Sequence, residues 1–194
     1  MKPTTLMTTL AATALFAVPA FAEEAALKAR IAELEAQLAE YEAEKELEAA
    51  NVALYDKMDL EAFTAHDMET IGEIHAHDVK VIFPDGSLTE GMFPAHEAQI
   101  DWLFTTFSDI TIPEHPIKFG SGEWTAGLSV TKGTWDSPMH LPDGRVLEPS
   151  GKPFEHNVVT LVRWEAGQIA EEYVMWDNFD LYAQIGALEG MICK

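Results

Sequence analysis

Cysteine is almost absent: Cys193, beside the terminal Lys194, is the only one in 194 residues. That excludes an intramolecular disulfide and a thiolate metal cluster. In an oxidising compartment the thiol either pairs with another chain or stays free at a frayed terminus. Positive charge is also scarce. Twelve Lys and Arg stand against 33 Asp and Glu, a net charge of −21. Such a surface repels nucleic acid and anionic lipid, which speaks against both as partners. Long apolar runs are missing. Residues 6–18 form the one uncharged stretch near the start, short of the ~18–20 residues a spanning helix needs, so no stable membrane insertion is expected. No Ser-His-Asp order, phosphate loop or nucleotide fingerprint occurs.

What is present begins with export. Lys2 precedes the apolar run, and Ala20-Phe21-Ala22 supplies small residues at the two positions a signal peptidase reads. Residues 1–22 are read as a signal peptide, placing the protein in the periplasm or secreting it; a membrane anchor is the competing reading. Residues 23–50 contain neither Gly nor Pro. Leu27, Ile31, Leu34, Leu38 and Tyr41 recur at spacings of four, three, four and three, an a/d seam of about two heptads. This predicts a helical arm suited to self-association, although a helix packed on its own domain has the same pattern. Two heptads are marginal alone, so association needs the globular part as well.

Residues 51–190 read as one α+β domain. Val52, Tyr55, Met58 and Phe63 mark an amphipathic helix over 51–65. Asp67 is placed to cap a second helix, and Pro94 opens a third carrying Ile100, Leu103, Phe104 and Phe107. Val79, Val81 and Phe83 alternate into a strand that ends at Pro84-Asp85-Gly86. After Asp109, four stretches read as strands: 110–119, 123–135, 154–164 and 168–176. Helices first and hairpins afterwards imply helices packed on one face of an antiparallel sheet.

Several stretches, in order, resemble the SnoaL-like polyketide cyclase (ester cyclase) family of the nuclear transport factor 2 superfamily. They are "AHDMETIGEIHAHDVKVIFPDG", "GSGEWTAG", "KGTW", "LPDGRVLEPSGKPFE" and "VRWEAGQIAEEYVMWDNFDLYAQIG". The resemblance implies a cone: a strongly curved sheet around about three helices, with a pocket at the open end. It also implies dimers in many relatives, and an aspartate near the end of the last strand acting as acid/base. Asp177 stands at that place. A histidine from the preceding strand is its usual companion, and His156 is the only one there. The cone hosts isomerases, dehydratases, hydrolases and plain binding domains, so fold does not select the reaction. Export is at odds with polyketide cyclisation on an intracellular assembly line.

The residues permit that chemistry without requiring it. A carboxylate beside Trp176 and Phe179 loses hydration, which raises its pKa and makes it a better base when ionised. Asp177 equally precedes "NFDLYAQIG", where it would cap a helix. Whether His156 meets it depends on the turn "EAGQ". A two-residue loop at Ala166-Gly167 puts His156 opposite Asp177, whereas a three-residue bulged loop, the one favoured because Ala suits positive φ poorly, puts it opposite Trp176. A further bulge along the strands reverses either result. Phe83, Trp102, Trp124, Trp135, Met139, Tyr173, Met175 and Trp176 are candidates for an apolar pocket lining, some of them being core instead. Met139 and His140 adjoin a long loop suited to a lid. His75 and His77 are two apart, but His96, His115 and His140 show no spacing that identifies a third ligand, so no metal site is assigned. The expectation is an exported, oligomeric pocket protein that needs no metal or organic cofactor. It acts as an acid/base enzyme on a small apolar carbonyl or ester compound, or it is a non-catalytic binding or scaffold module.

Overall fold

The computed structural model describes residues 14–192 except Pro142. Cys193 and most of the segment read as a signal peptide therefore lie outside the described residues. Helix α1 spans Ala14–Asp56. The chain divides into a unit up to Lys45 and a compact unit from Glu46 onwards. In the first, Leu27, Ile31, Leu34, Leu38 and Tyr41 are all exposed, so the seam is unfilled within one chain. Among the described residues no helix is long and apolar enough to cross a membrane.

In the compact unit the end of α1 widens into a π-helical segment, Lys57–Phe63. Tyr55, Met58 and Ala62 lie on its inward stripe, all buried. Asp67 caps α2 (Met68–Ile74), its side chain accepting from the Thr70 N–H. Helix α2 passes directly into strand β1 (His75–Ile82), followed by β2 (Leu88–Glu90). A turn over Met92–His96 leads to α3 (Glu97–Thr106).

The remaining strands are β3 (Thr111–Ser121), β4 (Trp124–Thr134), the short pair β5 (Met139–His140) and β6 (Val146–Leu147), β7 (Pro153–Glu165) and β8 (Gln168–Met175). Helices α4 (Asn178–Ile185) and α5 (Leu188–Ile192) follow. The six-stranded curved sheet has the order β2-β1-β8-β7-β4-β3. It is mixed rather than purely antiparallel, because β1 runs parallel to β8. A helix-to-strand passage without a hairpin leaves that pairing free of the antiparallel constraint.

Two apolar clusters fill the concave side. Tyr55, Met58, Ile71 and Ile74 pack on Val79, Val81, Val162, Trp164 and Ile169. Phe107, Ile110, Trp135, Met139 and Phe154 pack with Leu181 and Ile185. The ends of the two clusters leave a gap between them, and that gap is the site.

Candidate active site

A cavity of about 130 Å³ lies between the helices and the concave face of the sheet. Its walls are mainly apolar: Met58, Phe63 and Ile71 from the helices, Phe83, Val158 and Val174 from strands, Trp102, Leu103 and Phe107 around α3. Into this lining the fold inserts two groups of buried polar side chains.

The first group grows from α1. Asp59 falls on the same inward stripe as Tyr55, Met58 and Ala62, and is 5% exposed. Its Oδ2 accepts from His115 Nε2 at 2.9 Å and from Ser129 Oγ at 3.2 Å. His115 comes from β3 between Pro113 and Pro116, where the pairing with β4 slips twice; prolines lack the N–H that regular pairing needs. Its other nitrogen, Nδ1, donates to Asp56 Oδ1 at 2.8 Å, and Lys118 pairs with the same aspartate. The imidazole stacks on Tyr55 at 4.5 Å, and the Tyr55 hydroxyl meets Ser129 Oγ at 3.2 Å. Burial pushes the Asp59 carboxyl above the usual range, which the bond from His115 only partly offsets. His115 is raised as well: burial opposes its charge, but two flanking carboxylates outweigh it.

The second group is Glu172 with His75 and His96, all three buried and all lining the cavity. His75 Nε2 lies 3.6 Å and His96 Nε2 4.0 Å from Glu172 Oε2. His75 Nδ1 donates to the Ile71 carbonyl at 2.8 Å, and His96 Nδ1 meets Gln99 Oε1 at 3.3 Å. Burial lowers the His96 pKa, Glu172 only partly opposing it. For Glu172 burial acts upward, but the two histidines outweigh it and hold the carboxyl below its ordinary value.

His156 also reaches the cavity, from β7, where Phe154, His156, Val158 and Thr160 alternate inward. Its Nδ1 is buried without a hydrogen-bond partner. Burial lowers its pKa, against a weaker pull from Asp180.

Asp177 is placed differently. It is exposed and caps α4, its side chain accepting from the Phe179 and Asp180 N–H groups at 2.9 and 3.1 Å. It belongs to a shallow outer groove with Pro84, Asn157 and Met175, not to the apolar cavity. The cause lies in the last hairpin. Glu165 pairs with Gln168 around a two-residue turn, with Ala166 at φ +51° and Gly167 at +80°. That register alone would set His156 opposite Asp177. However, Trp164 pairs with Ile169 and Arg163 with Glu171, so Ala170 is an extra residue and everything beyond it shifts by one. Glu172, Val174 and Trp176 turn inward, while Glu171, Tyr173 and Asp177 turn outward. Continued, this register directs His156 towards Asn178, and both line the cavity.

Among the aromatic and Met candidates, Phe83, Trp102 and Trp176 line the cavity. Trp135 and Met139, the latter within β5, are buried in the core with Phe107 and Phe154. Trp124 is exposed at the far end of β4. Tyr173 sits on the outer face with its hydroxyl on Glu171, and Met175 is exposed beside Asp177. Asp59, Ser129 and Glu172 are not singled out by the sequence, and His75, His96 and His115 are named there without being assigned to a site. Asp59 had a signal: an acid four residues after Tyr55 and three before Ala62 shares their inward stripe in a helix.

The comparisons agree with this fold. Of solved structures, a putative SnoaL-like polyketide cyclase from Jannaschia sp. CCS1 superposes with a TM-score of 0.63 at 22% identity, covering 72% of this chain and 94% of that one. IdmH, a putative polyketide cyclase from Streptomyces antibioticus, gives 0.58 at 23% identity, covering 70% and 98%. A protein from Catenulispora acidiphila with a ketosteroid isomerase-like fold, in complex with trimethylamine, gives 0.55 at 15%, covering 70% and 92%. At these identities the likeness is one of fold. No curated protein matches the sequence. The sequence itself matches the SnoaL-like polyketide cyclase family over residues 53–185, from the end of α1 to the end of α4, and the chain belongs to that family.

Proposed function

We propose that the protein is an acid/base enzyme of the cyclase or isomerase type, acting on a small apolar carbonyl or ester compound. One observation carries the reading: the Asp59 carboxylate is buried, lines an apolar cavity, and is held by His115 at 2.9 Å and Ser129 at 3.2 Å. A carboxylate with an upward-shifted pKa in such a site is suited to taking a proton from a carbon next to a carbonyl. His156, with an unpartnered buried Nδ1, supplies a hydrogen bond for the ligand's oxygen. The acid/base role thus moves from Asp177, which is spent on its helix, to Asp59. A purely structural module is expected to fill its cone, and this cone holds a cavity of about 130 Å³. An apolar cavity of about 150 Å³ admits benzene, so the reading favours a one-ring or short-chain ligand over a multi-ring polyketide.

Family members bind small apolar ligands and are often dimers. We extend both properties to this chain, and export with them, on the strength of its apolar cavity and its first 22 residues. The test is mass spectrometry of compounds that co-purify with wild type and with Asp59→Asn. The variant keeps side-chain size and should accumulate, by tenfold or more, a compound that wild type turns over. Identical, ligand-free samples would leave the scaffold reading standing. The exported form should begin at Glu23 when its N-terminus is sequenced.

A further inference from the structure

We propose that His75, His96 and Glu172 form a binding site for one divalent first-row transition cation, zinc or ferrous iron in character, with an open coordination position facing the cavity. The inference goes beyond the acid/base reading and does not rest on Asp59.

The hydrogen bonds behind the histidines set the argument. A backbone carbonyl only accepts, so His75 Nδ1 carries a proton to the Ile71 oxygen. Gln99 Oε1, which also accepts from Thr89 Oγ1, does the same for His96 Nδ1. Each ring therefore turns its Nε2 towards Glu172, and in the Nδ1–H tautomer that nitrogen presents a lone pair. Fixing one ring nitrogen by an oxygen acceptor while the other faces inward is the arrangement that orients metal-bound histidines. The three donor atoms lie within 4.8 Å of one another, and His75 Nε2 has no hydrogen-bond partner among the described residues. In that tautomer three lone pairs converge in an apolar interior, an arrangement that a cation between them relieves.

Distances separate a cation site from an ion pair. A charge-assisted hydrogen bond would draw nitrogen and oxygen to about 2.7–2.9 Å; here they stand at 3.6 and 4.0 Å. Bonds of about 2.0–2.1 Å in tetrahedral array set donors roughly 3.3 Å apart. From separations of 3.6 and 4.0 Å, all three within 4.8 Å, side-chain shifts of the order of an ångström bring these atoms to that spacing. Two imidazoles and one carboxylate suit zinc or ferrous iron rather than calcium or magnesium, which want oxygen. Three protein ligands from β1, the turn before α3, and β8 leave a position free. All three residues line the cavity, so a ligand there would place its oxygen on the cation, where a Lewis acid polarises a carbonyl.

The test uses the purified chain, stripped with a chelator and titrated with Zn²⁺ by calorimetry and with Co²⁺ by absorption. One equivalent per chain is expected, with visible Co²⁺ bands characteristic of nitrogen ligands. His75→Ala, His96→Ala and Glu172→Gln should each weaken Zn²⁺ binding by about 100-fold, whereas the exposed His77→Ala and His140→Ala should not. Zn²⁺ should raise the Tm of wild type and not that of Glu172→Gln. Binding that the three variants retain would assign the metal to surface acids and overturn the proposal. If a variant fails to fold, wild type decides alone: a Co²⁺ spectrum like that of the aqueous ion, or no stoichiometric binding, overturns it.

Discussion

His115 is held between two carboxylates of the same helix turn, Asp56 at 2.8 Å and Asp59 at 2.9 Å. As an imidazolium it satisfies both, and its stacking on Tyr55 adds a cation–π contact. The pH dependence follows from the directions of the shifts. His115 is raised above 6.5, so its contribution is complete below the ordinary histidine range and is lost as pH rises through the higher folded value. Asp59, also raised, acts in the same sense at lower pH, while Asp56 is lowered and is constant above the carboxylate range. His115→Gln should therefore cost about 3 kcal/mol near pH 6, the scale of a buried pair losing one partner. The gap from wild type should narrow steadily towards pH 9. Urea unfolding at several pH values checks this; a gap that widens with pH would contradict the charged assignment.

The hairpin β7–β8 shows how one local feature decides a site. Ala166 adopts φ +51° in an exposed two-residue turn, a conformation costing a non-glycine residue about 1–2 kcal/mol. Asn-Gly is the favoured pair for such a turn. Ala166→Asn should accordingly stabilise the protein by roughly 0.5–1 kcal/mol, seen as a higher urea midpoint at unchanged slope. From sequence, alanine at a positive-φ position argues against this turn, and nothing in "QIAEEYVM" announces that Ala170 bulges. Both facts come from packing: Ile169 and Glu172 are each buried, three residues apart, which regular alternation forbids. That is why Asp177 and Tyr173 looked like pocket residues and Glu172 did not. Elements whose local chemistry suffices were legible, such as Asp67 capping α2 and the apolar alternation of β1. His75, His96 and Glu172 meet only through the parallel pairing of β1 with β8, which no short-range pattern encodes.

At the scale of the molecule, the outer face of the sheet carries its own pattern. The register aligns Ile117, Leu128, Val159 and Met175 in one row across β3, β4, β7 and β8, and Phe119, Ala126, Leu161 and Tyr173 in the next. Ile117 and Phe119 are 58% and 59% exposed, and Val159 and Leu161 more than 40%. Adjacent exposed apolar residues of this kind suit association, and in the dimer proposed above a second copy of the sheet would cover them. A net charge of −21 per chain opposes that pairing, and salt screens it, the Debye length falling from 30 Å at 0.01 M to about 10 Å at 0.1 M. A dimer held by apolar contact against like charge should thus tighten as salt is added. Leu161→Lys, central in the patch, should give monomers in sedimentation velocity at concentrations where wild type is dimeric. Leu34→Lys, on the exposed seam of α1, should leave the dimer intact if the sheet carries it. The opposite outcome, with Leu161→Lys dimeric and Leu34→Lys dissociated, would transfer the interface to the helical arm.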